Sequence, residues 1–290
     1  MIIAQKSVTL ENVNPLCRLR MTLQLLICTF NDGILRIPDL LLPPLDGVAY
    51  LVSWQQSEEF SPPPLPESLA CRPDVEVYTL PGLGLSRNRN HCLKHATADI
   101  CMICDDDCRY TPEALRAVVD TFAQNPQLDI ATFIAKNPTE PKRYPPMRFN
   151  LKKPVKGFYV ISFEIAFRRK SVVGTVEFDR RFGLGAELFG AGEESIFISD
   201  ALRAGLLCEY FPIEVVEHLG PTTAVTRCAD EKVLRANGAV LYRCFHATMW
   251  LRLPLLAWRV HRASGIAFGT AFRHILSGIR VMKNSEKGVG

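Results

Sequence analysis

Ile100-Cys101-Met102-Ile103-Cys104 runs directly into Asp105-Asp106-Asp107 and then, past a short turn, into Thr111-Pro112-Glu113. An apolar run of this length between polar neighbours reads as a buried strand. Thr111 supplies an N-cap, Pro112 suits the first helical position and Glu113 puts an acid in the first turn, so a helix is predicted over Pro112 to Gln124. The three acids thus stand at the carboxyl end of a strand, where open α/β sheets bind their ligands. If the strand continues through them, its period of two sends Asp105 and Asp107 to one side and Asp106 to the other. Two carboxylates held together repel unless a cation shares them, and hard oxygen donors suit Mg or Mn bridging a diphosphate. Without that context, three adjacent acids read as a solvated loop.

The same alternation extends in both directions. Upstream, Leu23 to Cys28 is a short apolar run ending in the turn residues Asn31-Asp32-Gly33, and Val48 to Trp54 and Val75 to Thr79 are two further strands joined by a proline-rich connection. Leu85 to Thr97 has helical composition. Downstream come a strand from Asp129 to Ala135 and a basic stretch from Asn137 to Gly157 with five prolines, whose composition predicts a long mobile loop of the substrate-lid kind. Glu193 to Ala204 closes on Gly205 as a helix, and Leu207 to Tyr210 and Ile213 to Val216 read as two short strands. Strands alternating with helices predict an α/β fold. Beyond Asp230 the pattern is helical, with Phe268, Phe272, Ile275, Leu276 and Ile279 on one face.

Composition narrows the function classes. The chain has 290 residues, 48% of them hydrophobic, and a net charge of +4, which supplies a core but no global field for nucleic acid. Charge is uneven: from Val240 onward eight Lys or Arg face the single acid Glu286, a basic amphipathic tail. Ten unevenly spaced cysteines predict reduced thiols and a cytoplasmic setting. The first residues, with Lys6, Glu11, Arg18 and Arg20, lack a signal-peptide pattern, and no run has the length of a membrane span. Cys101, Cys104 and Cys108 near His91 and His95 suggest zinc, but strand alternation sends Cys101 and Cys104 to opposite faces, where a zinc knuckle needs a turn.

A second constellation is the glycine-rich approach Gly190-Ala191-Gly192 to Glu193-Glu194, which delivers two acids at a helix N-terminus. The helix dipole favours the charged form of a carboxylate there, so such a group becomes a base only when desolvation raises its basicity. The plain alternative is an ordinary capping acid.

Taken together, four stretches between Leu23 and Thr223 resemble the family 2 glycosyltransferases of the GT-A fold. Leu25 to Asn31 is similar to the opening strand, Gly84 to Asn90 to the helix start with its arginine-asparagine pair, Asp105 to Asp107 to the DxD motif, and Gly192-Glu193-Glu194 to the acidic pair before the acceptor-site helix. The resemblance implies a mixed, mostly parallel sheet flanked by helices. It also implies three segments: an N-terminal extension 1–22, a catalytic domain 23–228 and a basic helical extension 229–290.

For function it implies metal-dependent, inverting transfer from a nucleotide sugar, a UDP-sugar first, to a hydroxyl of a glycan or lipid-linked saccharide. Glu194 would be the base with Glu193 beside it. Asp105, Asp107 and His218 would hold a divalent cation, Mn or Mg. Thr29, Asn31, Trp54, Gln55, Arg87, Arg89, Asn90, Asp105 and Asp106 would line the donor site. Val52-Ser53-Trp54-Gln55 lacks the base-contacting acid of many relatives, so stacking on Trp54 or a bond to Gln55 would replace it. The tail would place the protein at the cytoplasmic face of an inner membrane or pack on the domain. The rivals are a non-catalytic nucleotide-sugar-binding protein of the same fold and a metal-dependent nucleotidyltransferase, for which the phosphate-cradling glycine-rich loop near the first strand is missing.

Overall fold

The computed structural model describes residues 21–138, 142–220, 227 and 229–287; of the expected extension 1–22, all but the last two residues lie outside these. Strands β1 (Leu23–Phe30) and β2 (Val48–Gln56) open the sheet, the short helix α1 (Glu67–Ala70) follows, and β3 (Val75–Pro81) leads into α2 (Leu85–His95). Next come β4 (Ile100–Asp105), β5 (Cys108–Arg109), α3 (Pro112–Gln124), β6 (Ile130–Lys136), β7 (Phe149–Asn150) and β8 (Ile165–Arg168). Helices α4 (Arg169–Val172) and α5 (Glu193–Arg203) precede β9 (Cys208–His218). Thr111 caps α3 as its sequence predicts, its hydroxyl accepting from the Ala114 amide at 3.2 Å.

The strands join one sheet in the order β3-β2-β1-β4-β8-β6-β9-β5, with β7 on β9. The first four run parallel, β8 is antiparallel to β4 and β6, and β9 runs parallel to β6. Apolar layers cover both faces, which is why β1 and β4 read as continuous hydrophobic runs. Alternation sorts the core: Leu25, Ile27, Met102 and Cys104 join Leu115 and Phe122 on one side, while Leu26, Cys28, Cys101 and Ile103 join Leu93 and Phe197 on the other. Cys101 and Cys104 thus occupy opposite faces. Parallel register sets Thr29 beside Trp54 and Cys28 beside Asp105, so the carboxyl ends of three strands form one edge.

Three expectations are corrected. Strand β4 ends at Asp105 and turns at Asp106 and Asp107, so period two does not distribute the acids. The two short strands around Pro212 are one strand, β9, whose register against β6 shifts between Thr132 and Ala135 and absorbs the proline at an irregularity. The loop 137–157 is pinned where the structure describes it: Lys142 reaches into the protein, Tyr210 donates to the Pro145 carbonyl at 2.9 Å, Arg148 pairs with Glu209, and Phe149 and Asn150 form β7. Its aromatic residues, spaced between prolines, supply the anchoring that composition hides.

The C-terminal region forms helices α6 (Glu231–Cys244), α7 (Met249–Ser264) and α8 (Phe268–Lys287). Of the predicted apolar face, Ile275 and Ile279 are buried while Phe268 is exposed. Helices α6 and α8 cross at two glycines. A Cβ at Gly238 would lie 1.9 Å from the Ile275 carbonyl oxygen, and one at Gly278 1.9 Å from that of Arg235. Mid-helix Gly to Ala normally stabilises by about 1 kcal/mol. Here the sign inverts: Gly278→Ala is expected to cost about 1–3 kcal/mol by forcing the helices apart. Gly269→Ala on the same helix, with nothing within 4 Å, serves as the control and raises the melting temperature. Equal shifts in the two variants would refute the close crossing.

Candidate active site

The site is assembled around Arg89, whose side chain is 1% exposed. It projects from α2 beneath the sheet edge, where its Nη1 donates to Glu193 Oε1 at 2.7 Å and its Nη2 to Ser162 Oγ at 2.7 Å and Asp105 Oδ1 at 3.2 Å. The guanidinium lies over the Phe178 ring at 5.4 Å. A planar fork with several donors can serve three partners at once, which an ammonium cannot. One buried cation therefore joins the end of β4 to the start of α5. Arg89 and Asn90, expected on the donor, have protein partners for these groups: Asn90 exchanges hydrogen bonds with the Phe178 backbone, each at 2.8 Å.

The three aspartates point to different partners. Asp105 faces Arg89; burial pushes its carboxyl upward and Arg89 opposes that shift. Asp106 accepts from Thr29 Oγ1 at 2.6 Å and from Arg36 Nη2 at 2.8 Å. Gly33 makes that junction possible, since a Cβ there would sit 2.2 Å from Thr29 Oγ1 and 2.3 Å from Asp106 Oδ2. Asp107 Oδ2 lies 3.2 Å from His218 Nε2. Asp107 Oδ1 is buried without a hydrogen-bond partner among the described residues. Asn137 fixes the histidine from behind, its Nδ2 lying 3.2 Å from His218 Nδ1 and donating to the Gly220 carbonyl at 3.0 Å. Burial disfavours a charged His218, but the Asp107 carboxylate outweighs it and leaves the imidazole above its ordinary range.

The residues expected at the nucleobase, Trp54 and Gln55, are both buried. Trp54 is 5% exposed, packs edge-on to Phe60, and donates its indole N–H to the Asn31 carbonyl at 2.7 Å, so its ring presents no open face. Gln55 is likewise buried and donates to the Gly84 carbonyl at 3.3 Å. Asn31, in the left-handed region at φ +47°, accepts from the Ser57 amide at 3.0 Å and shapes the turn after β1. Arg87 is half-buried and donates to the Pro81 carbonyl at 2.5 Å.

Gly192, at φ +90°, turns the chain into α5 and must be glycine, because a Cβ would meet Val240 Cγ2 at 2.8 Å. The two acids that follow differ. Glu193 is buried against Arg89, whereas Glu194 is half-buried with no ion pair to a described residue. Burial, with Glu193 and Asp105 adding like charge, pushes Glu194 up to about 8 against the pull of its backbone amide and Arg89.

Several contributing residues carry no sequence signal. Glu164, fully buried, takes Lys142 Nζ at 2.8 Å on each oxygen and the Tyr144 hydroxyl at 2.6 Å. The rings of Tyr144, Phe158 and Tyr159 surround that ammonium at 4.3–5.0 Å. Lys142 is also within electrostatic reach of Glu194.

Residues 58–182 match the family described as Glycosyl transferase family 2; the match includes Arg87 to Asn90 and the three aspartates and stops before Glu193. Among solved structures, S. aureus TarS is similar with a TM-score of 0.55 and 13% identity, over 77% of this chain and 40% of that one. TarS 1-349 gives a TM-score of 0.56 at 12% identity, covering 93% and 92% of the two chains. TarS 1-349 in complex with UDP gives 0.55 at 13%, covering 87% and 74%. The present chain thus spans 40% of the first TarS chain. No curated protein matches it in sequence. The structural likeness is one of fold, a GT-A sheet with its flanking helices, and residues 58–182 are similar to glycosyl transferase family 2.

Proposed function

We propose that the chain transfers a sugar from a nucleotide-sugar donor to a hydroxyl of a glycan or lipid-linked saccharide, with inversion at the anomeric carbon, in the cytoplasm or at the cytoplasmic face of a membrane. The observation that carries this reading is the unequal pair on α5: Arg89 engages Glu193 and leaves Glu194 with a proton affinity raised to about 8, suited to general base work near neutral pH. Glu194 takes the proton of the acceptor hydroxyl as its oxygen bonds to the anomeric carbon. The bond from that carbon to the diphosphate oxygen breaks, and the nucleoside diphosphate leaves with the electron pair. The UDP held by the S. aureus TarS segment makes uridine nucleotides the first donors to try.

A divalent cation fits the residues present. The unpartnered, buried Asp107 Oδ1 and the adjacent His218 provide one hard oxygen and one imidazole, and Mg or Mn sites often take their remaining ligands from substrate phosphates and water. Asp107 and His218 would hold the ion, with Asp105 behind them engaged by Arg89. When bound, the ion supplies charge neutralisation for the departing diphosphate.

The test is release of nucleoside diphosphate from a panel of nucleotide sugars with Mn or Mg. Wild type should hydrolyse one donor slowly, and Asp107→Asn should lose at least about 100-fold in kcat/KM, the scale of one charge-stabilising contact. Donor binding without hydrolysis or transfer to any acceptor would favour the non-catalytic rival. Incorporation of a nucleotidyl group would favour the nucleotidyltransferase.

A further inference from the structure

Helix α7 is apolar on two opposite sides. Its inner side, Met249, Leu253 and Ala257, is buried and packs with Ala271, Ile275 and Ile279 of α8. Its outer side carries Leu251, Leu255, Trp258 and Arg262, spaced by four, three and four residues and therefore forming one stripe, with Trp250 at its margin. These side chains are not covered: Trp250 is 60% exposed, Leu251 79%, Leu255 49% and Trp258 50%. Phe245 and Phe268, at the neighbouring helix ends, are exposed as well.

Charge indicates what covers this face. Arg252, Arg259 and Arg262 are exposed along the helix, and from Val233 to Asn284 the sequence has no Asp or Glu. Arg252 lies over the Phe245 ring at 4.2 Å and Arg262 over the Trp258 ring at 5.7 Å, so cations and aromatic rings share one surface. A second copy of the chain would bring this acid-free helix against itself across a two-fold axis, with arginine facing arginine. An anionic bilayer answers both features: its acyl region receives leucine and tryptophan while its headgroups pair with arginine. Tryptophan suits that boundary because its ring is apolar and its N–H polar. No described helix is long and apolar enough to cross a membrane, which leaves a helix lying on the surface.

We infer that the outer face of α7 is a docking surface for an anionic phospholipid bilayer, with Leu251, Leu255 and Trp258 inserted and Arg259 and Arg262 on the headgroups. This inference is independent of the proposed catalytic role, because α7 packs on α6 and α8 and contributes no residue to the site.

The full chain would be titrated with vesicles of phosphatidylcholine alone and with about a third phosphatidylglycerol, following co-sedimentation and tryptophan emission. Of the three tryptophans Trp54 is already buried, so any blue shift reports Trp250 and Trp258. The expected result is partition onto anionic vesicles at least about tenfold above neutral ones, with a blue shift and a clear loss at high salt. The double variant Leu251→Ser/Trp258→Ser should melt with wild type and lose about tenfold or more of that partition. Arg259→Gln/Arg262→Gln should lose the preference for the anionic lipid. No partition onto anionic vesicles, or equal partition by the leucine-tryptophan variant, would overturn the inference. So would a solution dimer abolished by that variant, which would make a second copy the occupant. Binding to soluble polyglutamate as tight as to vesicles, without a blue shift, would overturn it in favour of an acidic protein partner.

Discussion

Glu194→Gln is expected to leave nucleotide-sugar binding within a few-fold of wild type and to lower kcat for transfer by about 10²–10⁴, the range that a positioned general base contributes. Glutamine keeps the shape and removes the proton acceptor. The pH profile checks the assignment independently. With its proton affinity raised to about 8, Glu194 is largely protonated at pH 7, so wild-type kcat/KM should rise through neutrality and level off above that value, while the variant should lack this limb.

Stability should move the other way. A carboxyl that holds its proton more tightly folded than unfolded makes the folded state lose stability as pH climbs from the ordinary glutamate range, near 4.5, to about 8. Below that window wild type and Glu194→Gln should melt together, and at its upper end the variant should melt higher by a few degrees. The effect stays well below the ~1.4 kcal/mol per unit ceiling because the side chain is half-buried and water screens it. An acidic flank unaffected by the substitution, or a variant that melts lower at pH 8, would remove Glu194 from the role of base.

Arg89→Leu carries the largest expected stability effect. Removing one partner of a buried ionic cluster strands the others, at a cost of about 3–5 kcal/mol. Here the stranded groups are Asp105 and Glu193, with Ser162 losing its donor. In a chain of this size that corresponds to a drop of roughly 10 °C in Tm. The deficit should be greatest at alkaline pH and shrink in acid, where the stranded Asp105 carboxyl, already pushed upward by burial, can take up a proton. Arg89→Lys should recover only part of it, because one ammonium cannot reproduce the two-nitrogen fork. A drop of less than about 3 °C in Arg89→Leu, equivalent to about 1 kcal/mol, would show that the cluster is not holding β4 and α5 together.

Local sequence rules carried much of this fold. Thr111-Pro112-Glu113 fixed the start of α3, and the run before Asp105 identified a central strand, because capping and burial are written in adjacent residues. Pro212 misled for the opposite reason: whether a proline breaks a strand or sits at an irregularity depends on the neighbouring strand. The loop after Asn137 looked unstructured because prolines dominate its composition, while Lys142, Tyr144 and Phe149 find their partners on β9 and at the turn before β8, far away in sequence. Arg89 was legible as a site residue but not as a strut. A motif names the residue and leaves its direction open, and direction decides whether a cation meets a ligand or two carboxylates of its own chain. Trp54 illustrates the same point, its ring turned into the core by a bond to the Asn31 carbonyl.

The glycine crossing of α6 and α8 has a consequence for the order in which the protein matures. Phe182 and Phe189, which precede the glycine-rich approach to α5, and Ile196 of α5 itself pack against Ala236 and Ala239 of α6 and Met282 of α8. During synthesis the sheet, Arg89 and both glutamates leave the ribosome well before Met282 does. Until α8 arrives, Phe182, Phe189 and Ile196 have α6 against them but lack Met282. Completion of the packing behind α5 therefore waits on Met282 of α8, more than eighty residues after Ile196 along the chain.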